Sequence, residues 1–144
     1  MRITRVQPFV CHCYRTNWVF VKVSTDEGLH GWGEATLEYR EPALAETIRG
    51  MERRLLGRDP HEIEAIWHEC YRDAYFRGGP LGMSALSGVE MALWDIKGKA
   101  LGVPVYQLLG GKVRDRVHCY ANGWFSPAKT PEEFAAKAKA AVAR

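Results

Sequence analysis

The sequence predicts an α+β fold: a three-stranded antiparallel meander, a three-helix bundle, and then one further strand–helix element. Three observations carry this. The apolar period is close to two through the first third, it changes to about 3.6 from Pro42 onward, and glycine or proline marks each change. The chain of 144 residues has the length of one domain. Such a chain can bury roughly two thirds of its unfolded surface, enough for a real core.

The strands come first. "ITRVQPFVC" sets Ile3, Val6 and Phe9 among polar neighbours, with Pro8 weakening the pattern. "WVFVKVS" is clearer, alternating Val19, Val21 and Val23 against Trp18, Phe20 and Lys22. "TDEG" supplies a turn with Gly28 where positive φ is expected. "LHGWGEA" reads as a third strand interrupted by Gly31 and Gly33.

Helices follow. Pro42 suits a first helical position, Leu44, Ile48, Met51 and Leu55 recur at helical spacing, and Gly57 is a natural stop. A second helix is expected from "DPHE", with Asp59 as cap, Pro60 opening and Glu62 completing a capping box. Its apolar stripe is Ile63, Ile66, Trp67, Cys70, Tyr71 and Ala74, and "RGGP" ends it. In the third helix Leu86, Val89, Leu93, Ile96 and Ala100 form the stripe, while Asp95 and Lys99 pair at i, i+4. Gly102 then stops the helix and Pro104 forbids its resumption. Beyond it "RVHCYAN" reads as a short strand. "TPEEFAAKAKAAVAR" reads as a helix capped by Thr130, opened by Pro131 and boxed by Glu133.

Composition narrows the function classes. Hydrophobic residues at 47% and charged residues at 26% are ordinary globular proportions, which exclude a disordered or fibrous chain. No apolar run approaches the roughly 18 residues of a membrane span, so no membrane partner is expected. "MRITRVQPFV" lacks the apolar stretch of a secretion signal, and a cytoplasmic location is the expectation. The net charge of +3 is scattered, with only Arg53 and Arg54 adjacent, which argues against a nucleic-acid partner. Cys11, Cys13, Cys70 and Cys119 form no C-x-x-C pair or zinc spacing and read as reduced thiols. "GWG" lacks the third glycine and following helix of a dinucleotide fingerprint, and "HEIEA" lacks the second histidine of a zincin.

"VEMALWDIKGKALGVPVYQLLGG", together with "GLHGWGEA" and "RDRVHCYANG", resembles the amino-terminal part of the mandelate racemase and muconate lactonizing enzyme group of the enolase superfamily. "YFRGGPLGMSAL" is further similar to the acid-sugar dehydratase branch, especially galactonate dehydratases. The resemblance spans essentially the whole chain. It implies an enolase-type capping domain over residues 1–113 and, over 114–144, the first βα unit of a modified TIM-like barrel, truncated here. It also implies a Mg²⁺-dependent lyase that removes the proton α to a carboxylate and passes through an enediolate, and a homo-oligomer. Racemase or cycloisomerase chemistry on the same cap is the alternative within the family; a freestanding binding or assembly module is the alternative outside it. The catalytic bases and metal ligands are expected beyond Arg144, so no catalytic or metal residue is assigned in this chain. "KGK" at Lys97 to Lys99 lies on a helix and reads as solvated, not as the family's Lys-x-Lys base motif.

In the family, two cap loops close over the barrel mouth. The corresponding stretches are "YRTNW", Tyr14 to Trp18, and "TLEYRE", Thr36 to Glu41. Arg15 and Arg40 are the candidate substrate anchors, since a guanidinium holds a carboxylate or polyol through several donors. Tyr14, Trp18 and Tyr39 could exclude water or stack on a sugar chain. Arg77 could line the same site or act structurally within the cap. Asn122 and Trp124 follow the expected barrel strand, at the end where such barrels carry their sites. Solvated loop residues and ordinary Asn122–Gly123 turn chemistry are the plain alternatives.

Overall fold

The computed structural model describes residues 1–13, 16–72 and 74–143. It divides into two compact units, Met1–Gly111 and Lys112–Arg144. Among the described residues no helix is long and apolar enough to cross a membrane.

The first unit opens with β1 (Ile3–Cys13), β2 (Thr16–Thr25) and β3 (His30–Glu34), an antiparallel sheet in the order β1-β2-β3. The central strand follows its alternation. Val19, Val21, Val23 and Thr25 are buried, and the intervening side chains point to the other face. In β1 the register shifts between Ile3 and Arg5, and the extra residue lets both Ile3 and Val6 face the core. Phe9 therefore falls on the outer face, 5.4 Å from the Trp32 ring. Pro8 is tolerated because β1 is an edge strand.

Helices α1 (Glu41–Leu55), α2 (Ile63–Arg72) and α3 (Gly79–Leu101) cover the inner face, and a short turn, α4 (Val105–Leu108), follows. Leu44, Ile48 and Leu55 from α1 and Leu86, Val89, Leu93 and Ile96 from α3 join the sheet valines in one core. Each such side chain contributes about 1.5–3 kcal/mol through burial. Ala100, expected in the α3 stripe, is exposed, because the stripe runs past the end of the sheet there. Trp67 and Tyr71 stack at 5.1 Å and pack against the core's edge. Gly102 ends α3 in the left-handed region at φ 69°, donating to the Gly98 and Lys99 carbonyls.

Two expectations about this unit are corrected. α2 begins at Ile63, not at Asp59–Pro60. The Asp59 carboxylate accepts from the His61 amide at 2.9 Å and its carbonyl from the Glu62 amide at 3.2 Å, so a tight turn uses the donors a helical first turn would need. Glu62, expected to close a capping box, instead faces Arg58 at 3.4 Å. Nor is Lys99 merely solvated. It donates to the His30 carbonyl at 2.8 Å and to Asp95 at 2.7 Å, while Asp95 accepts the Trp32 amide at 2.9 Å. This clasp occupies the outer edge of β3. At the other edge Glu52 accepts the Val6 amide at 3.1 Å. Both edges are thereby partly closed to further strand pairing.

The glycines of β3 do not interrupt it. Gly31 and Gly33 pair with Val23 and Val21. A Cβ on Gly31 would stand 1.9 Å from the Ala92 carbonyl oxygen, and one on Gly33 would stand 1.9 Å from that of Gly88. Two residues of strand rise about 6.6 Å and four residues of helix about 6 Å, so the spacings match. The helix backbone rests directly on the strand backbone.

In the second unit α5 (Pro131–Val142) starts as expected. Thr130 accepts the Glu133 amide at 3.3 Å, and Glu133 accepts the Thr130 amide at 3.3 Å and the Lys129 amide at 2.6 Å. The strand expected over "RVHCYAN" is not formed: residues 117–121 carry no strand. A strand exists only as part of a paired ladder, and the described residues of this unit offer no second strand.

Candidate functional site

Three of the four candidate residues described in the first unit, Trp18, Tyr39 and Arg40, lie on β2 or on the β3–α1 connection fastened to it. β2 begins at Thr16, and the β3–α1 connection passes beside it. The Ala35 amide donates to the Val19 carbonyl at 2.8 Å, and the Val19 amide donates to Thr36 Oγ1 at 3.0 Å. Five residues on, Glu41 Oε1 accepts the Thr16 hydroxyl at 2.9 Å and the Asn17 amide at 3.4 Å. The connection is thus fastened to β2 at both of its ends.

Between those anchors the backbone turns tightly. The Arg40 amide donates to the Leu37 carbonyl at 3.0 Å, and Tyr39 adopts φ 63°, the left-handed region that most side chains avoid. The Tyr39 side chain is 73% exposed, and Arg40 is exposed at the cap position of α1 with no side-chain cap bond of its own. Trp18 is 47% exposed on the outer sheet face, edge-on to Phe20 at 6.0 Å. A shallow groove of about 260 Å³ adjoins the connection, with Glu34, Thr36, Ser84 and Ser87 among its walls. The arrangement presents an aromatic ring, a guanidinium and hydroxyls on a pre-formed turn, a chemistry suited to a polyhydroxylated anion.

Glu41 is the residue that sequence reasoning missed. The sequence placed it only as the last residue of the "TLEYRE" loop, with no role of its own. In the structure it is 6% exposed. Its own backbone N–H, then the Thr16 hydroxyl, hold its carboxyl below the usual glutamate range. The Asn17 and Tyr39 backbones add to this, against an opposing contribution from burial. Nothing local in the sequence marks Thr16, 25 residues away, as its partner.

The other candidates fall elsewhere. Tyr14 and Arg15 lie outside the described residues. Arg77 is exposed, and its Nε donates to the Arg72 carbonyl at 3.3 Å, where α2 ends. That bond satisfies an orphan carbonyl at a helix terminus. Asn122 and Trp124 belong to the second unit, where they line a cavity of about 410 Å³ with Lys137. Trp124 is edge-on to Phe125 at 5.8 Å and to Phe134 at 6.4 Å. Among the described residues no three His, Cys, Asp or Glu side chains could together hold a metal ion, so they do not fit a Mg²⁺ site.

Comparison with known proteins gives this geometry a context. Residues 4–110 match the family model described as mandelate racemase/muconate lactonizing enzyme, N-terminal domain. A D-galactonate dehydratase of Variovorax paradoxus is 48% identical over 123 residues, 84% of this chain and 31% of that protein. Among solved structures, a protein from Mesorhizobium loti provisionally assigned as a dehydratase is 44% identical with TM-score 0.94, over 99% of this chain and 39% of its own. An enolase from Pantoea ananatis, solved with D-gluconate and Mg, is 45% identical with TM-score 0.79, over 83% of this chain and 29% of its own. The chain therefore spans about a third of the length of the relatives it matches.

Proposed function

The chain belongs to the mandelate racemase/muconate lactonizing enzyme family, as an enolase-superfamily amino-terminal domain, and from that premise we propose that it is the substrate-capping part of an acid-sugar dehydratase. The observation that carries the reading is the pre-formed turn at residues 36–41, braced on β2 and presenting Tyr39 and Arg40 at the surface. Similarity to a D-galactonate dehydratase points to a sugar acid as the ligand.

In the proposed reaction a base takes the α proton of a 2,3-dihydroxy acid, the electron pair forms an enediolate, and the β-hydroxyl leaves as water with a proton from an acid. The resulting enol becomes a 2-keto-3-deoxy acid. A Mg²⁺ ion, held by residues outside this domain, would supply positive charge that favours loss of the α proton. The base and the metal ligands are assigned to a barrel joined to this cap, to which residues 114–144 would contribute the first βα unit. This chain's own task is recognition. Arg40 holds the carboxylate or hydroxyls, while Tyr39 and Trp18 keep water out, which strengthens charge interactions within the site.

The test uses the complete polypeptide carrying this domain, incubated with Mg²⁺ and a panel of acid sugars including galactonate and gluconate. Formation of a 2-keto-3-deoxy acid is expected. Arg40→Ala is expected to lower kcat/KM roughly 10- to 100-fold, the loss of one hydrogen bond to a charged group, with melting unchanged. Exchange or inversion at the α carbon without keto acid would assign a racemase. Isomerisation of a lactone would assign a cycloisomerase, and absence of all three would leave a binding module.

A further inference from the structure

The two stretches that present Trp18 on one side and Tyr39 and Arg40 on the other are separate in sequence, yet a buried carboxylate ties the start of one to the end of the other. Glu41 is the first residue of α1 and the last of the β3–α1 connection. Its Oε1 reaches across to the first two residues of β2, taking the Thr16 hydroxyl at 2.9 Å and the Asn17 amide at 3.4 Å. At 6% exposure it has little access to water, so freeing it from Thr16 and Asn17 requires α1's start and β2's start to part and admit solvent. The second anchor, Val19 amide to Thr36 Oγ1 at 3.0 Å, fixes the other end of the same connection to the same strand. Residues 37–40 then have no slack, which is the condition under which Tyr39 is kept at φ 63°.

We propose that Glu41 is the positioning residue that makes the start of β2 and the β3–α1 turn one recognition element, so that a change in either is felt in the other. The part played in recognition rests on the capping function proposed above; the coupling itself does not. The carboxyl's position below the usual glutamate range, set by its own backbone N–H and then by the Thr16 hydroxyl, agrees with a carboxylate held in a completed hydrogen-bond set. Glu41 acts on substrate only through Trp18, Tyr39 and Arg40. It is not a catalytic group.

Hydrogen exchange of the 144-residue protein tests the coupling without any substrate. Glu41→Ala and Thr16→Val are each expected to speed amide exchange about tenfold or more in both residues 16–19 and residues 36–40. Val21 and Val23, in the middle of β2, should keep wild-type rates. Glu41→Gln and Thr16→Ser preserve an acceptor and a donor, so both stretches should stay within roughly threefold of wild type. Acceleration confined to the substituted stretch would overturn the proposal. So would equal acceleration throughout the first unit, because that is a loss of stability and not of positioning. In the complete polypeptide, Trp18→Ala and Tyr39→Ala should affect kcat/KM non-additively with Glu41 present and additively in Glu41→Ala. Additivity in both backgrounds would overturn the recognition role, whereas a complete polypeptide with no turnover of acid sugars would count against the capping function and leave the exchange result to decide the coupling.

Discussion

Gly33→Ala is the substitution that the packing of α3 on β3 condemns most directly. The new methyl would sit 1.9 Å from the Gly88 carbonyl oxygen and 3.0 Å from Met91 Cβ. A carbon–oxygen contact needs about 3.3 Å, so strand and helix must separate by roughly 1.4 Å. The obstacle is backbone, which cannot rotate aside. A gap of 0.5–1 Å already forfeits about a quarter to a half of each dispersion contact. The Trp32 amide bond to Asp95, at 2.9 Å, spans the same seam and would be lost with it. Overpacking costs about 1–3 kcal/mol and the lost bond about 1 kcal/mol more, so a destabilisation near 3 kcal/mol is expected. At about 4 °C per kcal/mol, melting should fall by roughly 12 °C. The assay is urea and thermal unfolding followed by tryptophan fluorescence. Gly50→Ala is the control, since Gly50 is exposed within α1 and a Cβ there meets nothing within 4 Å. That variant should gain about 0.5–1 kcal/mol. A Gly33→Ala protein melting within about 2 °C of wild type would refute the close-contact reasoning.

Three further outcomes follow from the same structure. Asp95→Ala leaves the Trp32 amide and the Lys99 ammonium without their shared acceptor, and it should cost about 1–2 kcal/mol in urea unfolding. Tyr39→Gly relieves a left-handed residue at φ 63°, and the gain of about 1 kcal/mol is largely offset by glycine's greater freedom when unfolded. Its melting should hold steady; if Tyr39 has the capping role proposed above, kcat/KM of the complete polypeptide for an acid sugar should fall. Glu41 has a folded-state pKa below its ordinary value of 4.5, so its stabilising contribution is complete above that pH and is lost as pH falls through the lowered folded value. The stability gap between wild type and Glu41→Gln should therefore narrow on acidification below pH 4.5, and a gap that stays constant or widens would contradict the assignment.

The sequence by itself determined the elements whose signals are local. The valine alternation in β2, the Leu44–Ile48–Leu55 and Leu86–Val89–Leu93–Ile96 stripes, the Gly102 stop and the Thr130 capping box all act within a few residues. Periodicity and capping therefore revealed them. "KGKALGVPVYQLLGG" and "GLHGWGEA" likewise carried the family, which the match over residues 4–110 shows. Only the tertiary structure decided what depends on distant partners. Gly31 and Gly33 read as interruptions until α3 was seen lying against them. Lys99 read as solvated until its target, the His30 carbonyl, was placed 2.8 Å away. The α2 start moved because Asp59 spends its carboxylate on a turn, and residues 117–121 form no strand, the described residues of that unit offering no second strand to pair with. Glu41 was legible only as the end of a cap loop, and its role was not, since its partner lies 25 residues away. A hydrogen bond between remote residues leaves no period in the sequence, and the candidate site is built from such bonds.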